Sequence, residues 1–279
     1  MGDGGAPVGV AEAETTASTR TTVAASSAPS TPASFTSAPS ISGPAAPGTS
    51  PVVDRVLLDR RPTRWGTHMP GIVDRVGTVR GRPTLALTFD ACGGPGGRGY
   101  DADLIALLRA ERIPATLFLN ERWVRVHRGL TAELARDRLF AIASHGSRHS
   151  PLSVDGRSAY GIAGTRSGRG VLAEIEPNQR LLTEVTGTVP RWFRAGTAHY
   201  DDVAVEIVRR SGLRVAGFTV NADDGATARP DSVRQRLVNA PDGAIVLAHM
   251  NQPRGATCDG LRAALPALKA ARTRFVRLT

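Results

Sequence analysis

From residue 84 onward, short apolar runs rich in β-branched residues alternate with stretches of helical period, and few folds accommodate that alternation. The runs are 84–89 (TLALTF), 114–119 (PATLFL), 139–143 (LFAIA), 191–194 (RWFR), 213–220 (LRVAGFTV), 244–248 (AIVLA) and 273–278 (TRFVRL). Helical period falls between them, near 101–111, 121–136, 170–187, 200–212, 231–239 and 256–271. Gly187, Gly212 and Gly243 stand at helix ends or just before strands, where a left-handed cap is expected. Strands separated by helices run parallel, joined by right-handed crossovers. Their near-continuous apolar character fits a sheet covered by helices. The expected fold is α/β, a (β/α)7–8 barrel; a doubly wound open sheet has the same periodicity and is the alternative. The Gly- and Ser-rich stretch 144–169 lacks helical period and reads as a long functional loop.

The chain ahead of this pattern differs. Residues 1–50 are mostly Ala, Ser, Thr, Pro and Gly, with charge only at Asp3, Glu12, Glu14 and Arg20. They cannot bury enough apolar surface to offset their ordering entropy, so a disordered tail is expected. Residues 51–81 read as an extension packed on the barrel, and 82–279 as the main folded domain. The net charge of +10 comes almost wholly from arginine, Lys269 being the single lysine. The arginines are scattered, without a dense run or interleaved aromatics, which argues against nucleic acid. A basic surface also suits anionic cell-wall polymers. No apolar stretch approaches the ~18 residues of a membrane span. No basic segment followed by an apolar run marks a signal peptide.

Five strand ends carry polar or ionisable groups: Asp90, then His145 with His149, then Arg194, then Asn221, Asp223 and Asp224, then His249. In parallel β/α folds the active site lies along that edge. His145 and His149 are spaced to share one metal ion. Two imidazoles and a carboxylate would leave positions open for water, whose pKa would fall from 15.7 toward ~7–9. Asp90 could take its proton and His249 could protonate a leaving nitrogen, kept charged by Asp223 or Asp224. Arg194 could orient Asp90.

The segments LTFD (87–90), HGSRH (145–149), FRAG (193–196), FTVNADD (218–224) and IVLAH (245–249) follow one another in an order that resembles the polysaccharide deacetylases of carbohydrate esterase family 4. The resemblance covers about residues 82–279. It implies a distorted barrel, a divalent metal that is often zinc, and hydrolysis of N-acetyl groups, or O-acetyl groups in some members, on chitin-like or peptidoglycan glycans. It also implies a secreted or cell-wall location, and a monomer is expected. By position Asp90 matches the base, His145 and His149 two metal ligands, Arg194 the residue tethering the base, Asp224 or Asp223 the acid tuning the catalytic histidine, and His249 that histidine.

Three departures stand out. The family usually reads TFDDG with the second Asp as third metal ligand, whereas here Ala91 occupies that position. Asp90 itself, another carboxylate such as Asp101, or water would then complete the site. RPPY is replaced by Arg194-Ala-Gly-Thr, and the usual aromatic after the tuning acid is Gly225. Thr197, His199, Tyr200, Asn221 and Tyr160 are candidates to line the substrate pocket. Cys92 and Cys258 flank the proposed edge; they could pair, stay free, or (for Cys92) touch the metal. Two other readings remain open: a glycan-binding module that has lost its metal, and a metal-independent cyclic amide hydrolase.

Overall fold

Each expected apolar run forms a strand in the computed structural model, which describes residues 54–279. The tail expected over 1–50 lies outside the described residues. The chain opens with α1 (Arg55–Leu58), β1 (Trp65–Gly66) and β2 (Ile72–Val73). The repeating part then begins: β3 (Thr84–Ala91), α2 (Ala102–Ala110), β4 (Ala115–Leu119), α3 (Glu121–Val126), α4 (Arg128–Arg136), β5 (Phe140–Ser144) and α5 (Gly168–Thr186). It continues through β6 (Trp192–Phe193), β7 (Tyr200–Asp201), α6 (Asp202–Arg210), β8 (Arg214–Ala216) and β9 (Val220–Asn221). The chain ends with α7 (Pro230–Val238), β10 (Ala244–His249), α8 (Thr257–Ala270) and β11 (Arg274–Val276).

The main sheet runs β2-β8-β6-β5-β4-β3-β10-β9, all parallel, with β11 added along the first half of β3. The run expected at 213–220 is interrupted at Gly217–Thr219. Its first half pairs with β6 and its second with β10. One interrupted strand thus lies next to the β2 edge with its first half and forms the opposite edge with its second, and the sheet curls into a distorted barrel. Six strands each contribute one residue to an inner apolar cluster: Ala86, Phe118, Ala143, Trp192, Ala216 and Ile245, with Leu278 of the C-terminus among them. That is the packed layer of a filled barrel. The opposite parity of β3 (Leu85, Leu87, Phe89, Ala91) packs outward against α2, α3 and α8.

Local signals explain the helix boundaries. Asp101 accepts a hydrogen bond from Leu104 N at 2.9 Å and starts α2, and Ser167 starts α5 by accepting from Gly170 N at 3.1 Å. Gly187 ends α5 at φ +70°. The helix expected over 121–136 breaks at His127, whose imidazole donates to Arg98 O at 2.7 Å and packs on Trp123. The helix expected from residue 200 starts at Asp202 because Tyr200 and Asp201 pair with Trp65 and Gly66.

Parallel register lines up the strand ends. Asp90 lies opposite His249, and Leu119 opposite Ser144, which in turn faces Phe193. Residues following these positions therefore converge at one edge, with neighbouring strands ~4.8 Å apart.

Candidate active site

At that edge Asp90 is buried, and its Oδ1 accepts from Arg194 Nη1 at 2.7 Å. Arg194 is completely buried. The same nitrogen donates to Thr88 Oγ1 at 2.9 Å, Nη2 donates to Gly217 O at 2.9 Å, and the guanidinium lies over the Phe118 ring at 4.2 Å. Burial opposes the Asp90 carboxylate, but Arg194, His145 and His249 outweigh it and hold its pKa below the usual carboxylate range.

His145 Nδ1 donates to the Arg194 carbonyl at 2.9 Å, which leaves Nε2 with its lone pair facing the site. That nitrogen lies 3.7 Å from Asp90 Oδ2 and 3.8 Å from Cys92 Sγ. His149 stands edge-on to His145, ring centroids 4.9 Å apart, and its Nε2 is buried without a partner. Donor atoms of Cys92, His145 and His149 lie within 4.8 Å of one another. Burial opposes the Cys92 thiolate, yet the surrounding His145, His149 and His249 draw its pKa well below the ordinary thiol value.

The loop holding His149 is built around a residue that sequence reasoning missed. Glu174 of α5 is buried, and its Oε1 accepts from the backbone N–H groups of Ser147, Arg148, His149 and Ser150 at 3.0, 2.8, 2.9 and 3.3 Å. His149 itself has φ +68°, a left-handed conformation that four converging N–H bonds stabilise. Gly196 closes the loop from the other side: a Cβ there would stand 2.4 Å from the His149 carbonyl carbon. The Gly of FRAG is thus a close-approach residue.

On the adjoining strand His249 Nδ1 donates to Asp223 Oδ1 at 2.9 Å. His249 N and Thr257 Oγ1 donate to Asp223 Oδ2 at 2.7 and 2.8 Å. Burial lowers the His249 pKa, but Asp223 and Cys92 outweigh it and raise it well above 6.5. Asp224 does not reach the histidine; it forms an ion pair with Arg236 at 2.8 Å. Of the two acids considered, Asp223 is the partner of His249.

A cleft of about 420 Å3 opens beside these groups, lined among others by Asp90, His149, Tyr160, Thr197, Asn221 and His249. Tyr160 is 81% exposed at its rim. His199 lies behind, edge-on to Tyr160 and bonded to Thr197 O. Tyr200 is not a pocket residue. It is fully buried, and its hydroxyl accepts from Ala195 N at 2.6 Å, pinning the FRAGT turn. Asp101 caps α2 through Oδ1 and lies outside the set of donor atoms that converge at the site. Cys92 and Cys258 are both free thiols, so they do not pair.

Residues 78–216 match the polysaccharide deacetylase family. The chain belongs to that family. The matched segment holds Asp90, Cys92, His145, His149 and Arg194 and ends before Asp223 and His249. The uncharacterized protein YlxY of Bacillus subtilis (strain 168) is 22% identical over 174 residues, 62% of this chain and 50% of the relative. The chain thus spans about half the length of that curated relative. Among solved structures, a CE4 family pseudoenzyme from Bacillus anthracis is similar with a TM-score of 0.59 at 22% identity, covering 71% of this chain and 64% of the other. The Bc1960 peptidoglycan N-acetylglucosamine deacetylase is similar with a TM-score of 0.60 at 19% identity, covering 72% and 88%. At such identities these likenesses speak for the fold.

Proposed function

We propose that this polysaccharide deacetylase family member is a metal-dependent hydrolase that removes acetyl groups from a carbohydrate, chitin-like or peptidoglycan in character. The observation that carries the reading is the meeting of an Arg194-bound carboxylate, a His145/His149 pair and an Asp223-bound histidine beside one cleft. The donor set fits a divalent metal: His145 presents its lone-pair nitrogen, and His149 Nε2 is buried with nothing to bond. When bound, the metal supplies Lewis acidity toward the acyl oxygen and makes water acidic enough to attack near neutral pH.

The protein's own groups do the rest. Arg194 keeps Asp90 ionised and aimed, so the carboxylate can accept the proton of the attacking water. His249, held charged by Asp223, returns a proton to the departing nitrogen or oxygen. Thr197 and Asn221 offer polar atoms to a sugar in the cleft, and Tyr160 offers a ring face at its rim. Among the described residues no helix is long and apolar enough to cross a membrane. A glycan substrate of this kind would place the enzyme outside the cell or in the wall.

Acetate release from chitooligosaccharides, with and without chelator, tests the reading. Chelator-sensitive release that falls at least ~100-fold in Asp90→Asn is expected, as for loss of a general base. Release unchanged in that variant would overturn the assignment of the base. A second reading, a glycan-binding module without chemistry, is favoured by Ala91, whose methyl stands where the family usually carries an acid. A pseudoenzyme among the similar folds agrees with it. Saturable glycan binding without acetate release would select that reading.

A further inference from the structure

We propose that Cys92 Sγ is the third protein donor of the metal centre, replacing the carboxylate that the family usually provides one residue earlier. The inference rests on the metal-dependent reading above.

Strand parity carries it. Along β3, Thr88 and Asp90 face the barrel interior, where both bond Arg194. Ala91 has the opposite parity and lies in the outer cluster with Leu85, Leu87 and Phe89, at 0% exposure. A side chain leaving the backbone there is aimed at the helices. Cys92 shares the parity of Asp90 and turns back toward the site, 3.8 Å from His145 Nε2. Asp90 is a poorer candidate, because one carboxylate oxygen already takes the Arg194 bond. Asp101 caps a helix. Among the described residues the set whose donor atoms converge is Cys92, His145 and His149.

Donor chemistry then has consequences. A thiolate carries one negative charge, as a carboxylate does, so the charge of the protein donor set equals that of a site with one Asp and two His. The softness differs. One sulfur and two imidazole nitrogens suit zinc or cobalt and disfavour magnesium, calcium and manganese, which prefer oxygen. With Asp90 off the metal, its carboxylate stays available as a base.

The test loads the full chain with cobalt(II) alone and records absorption. A thiolate-to-cobalt charge-transfer band in the near ultraviolet is expected at one equivalent of metal. It should vanish in Cys92→Ser, with affinity falling by more than the ~10–100-fold that loss of an outer partner costs. It should persist in Cys258→Ala. Cys92→Asp should regain cobalt binding without the sulfur band, which controls for misfolding of the Ser variant. One equivalent of cobalt with no sulfur band, or a band that survives Cys92→Ser, overturns the Cys92 assignment and leaves the hydrolase reading intact. No binding of cobalt or zinc overturns both. A sulfur band on protein that releases no acetate supports the assignment and overturns the catalytic reading instead.

Discussion

Asp223 shows how much one carboxylate can organise. It holds the His249 ring, its backbone N–H and the Thr257 hydroxyl at once. Burial alone would strip the proton from His249, yet Asp223 and Cys92 push its pKa well above 6.5. The sign follows directly. With the folded-state pKa raised, the charge-linked stabilisation is complete below the unfolded value of 6.5 and is lost as pH rises through the folded value. A rate that needs the imidazolium behaves alike, level through neutrality and falling on the alkaline side. Asp223→Asn should move the alkaline limb of kcat/KM to lower pH and reduce its plateau by ~10–100-fold, read from a pH–rate profile. A limb that stays in place would detach Asp223 from His249 function.

Between elements, the HGSRH loop depends on two contacts from elsewhere in the chain. Glu174 gathers four of its N–H groups from α5, and Gly196 presses on His149 from the turn after β6. Neither is a candidate for direct chemistry; both set where the second imidazole stands. Gly196→Ala would put a methyl 2.4 Å from His149 backbone, so the loop must shift. The expected outcome is a folded protein whose zinc affinity falls by ~10–100-fold, measured by competition with a chelating dye, because outer contacts that orient a ligand typically matter that much. The larger part of the strand and helix pattern was legible beforehand, since parallel strands under helices stay apolar along their length and helices keep their period. The helix break at His127 and the interruption at Gly217–Thr219 were not. Both arise where a side chain or backbone group bonds to a distant segment, such as His127 with Arg98 O or Gly217 N with Val73 O.

Over the whole molecule, the barrel separates stability from the site. The inward layer of Ala86, Phe118, Ala143, Trp192, Ala216 and Ile245 is joined by Leu278, which is 4% exposed. Leu278 N also accepts a place in the barrel by donating to Thr116 Oγ1 at 2.9 Å. Leu278→Ala should cost ~2–4 kcal/mol, as for other buried leucines, seen as a lower denaturant midpoint. Metal binding should be unchanged, because the reactive groups sit at the opposite ends of the strands. A matching loss of metal affinity would show that the base of the barrel and the site are coupled. The extension reaches the same framework: Ile72 and Val73 pair with β8, and Asp202 accepts from Thr63 and Arg64.

Taken by itself, the sequence determined the order of strands and helices and the residues placed at strand ends, because both follow from local periodicity and chain direction. Asp90, His145, His149, Arg194 and His249 could be named on that basis. Only the tertiary structure decided among near neighbours: Asp223 over Asp224 for His249, Cys92 beside the imidazoles with Ala91 turned outward, Tyr200 buried under the FRAGT turn, and Glu174 beneath the HGSRH loop. These contacts join residues far apart in the chain, and strand register with loop conformation sets them. Periodicity within a segment does not specify which remote partner a side chain will meet.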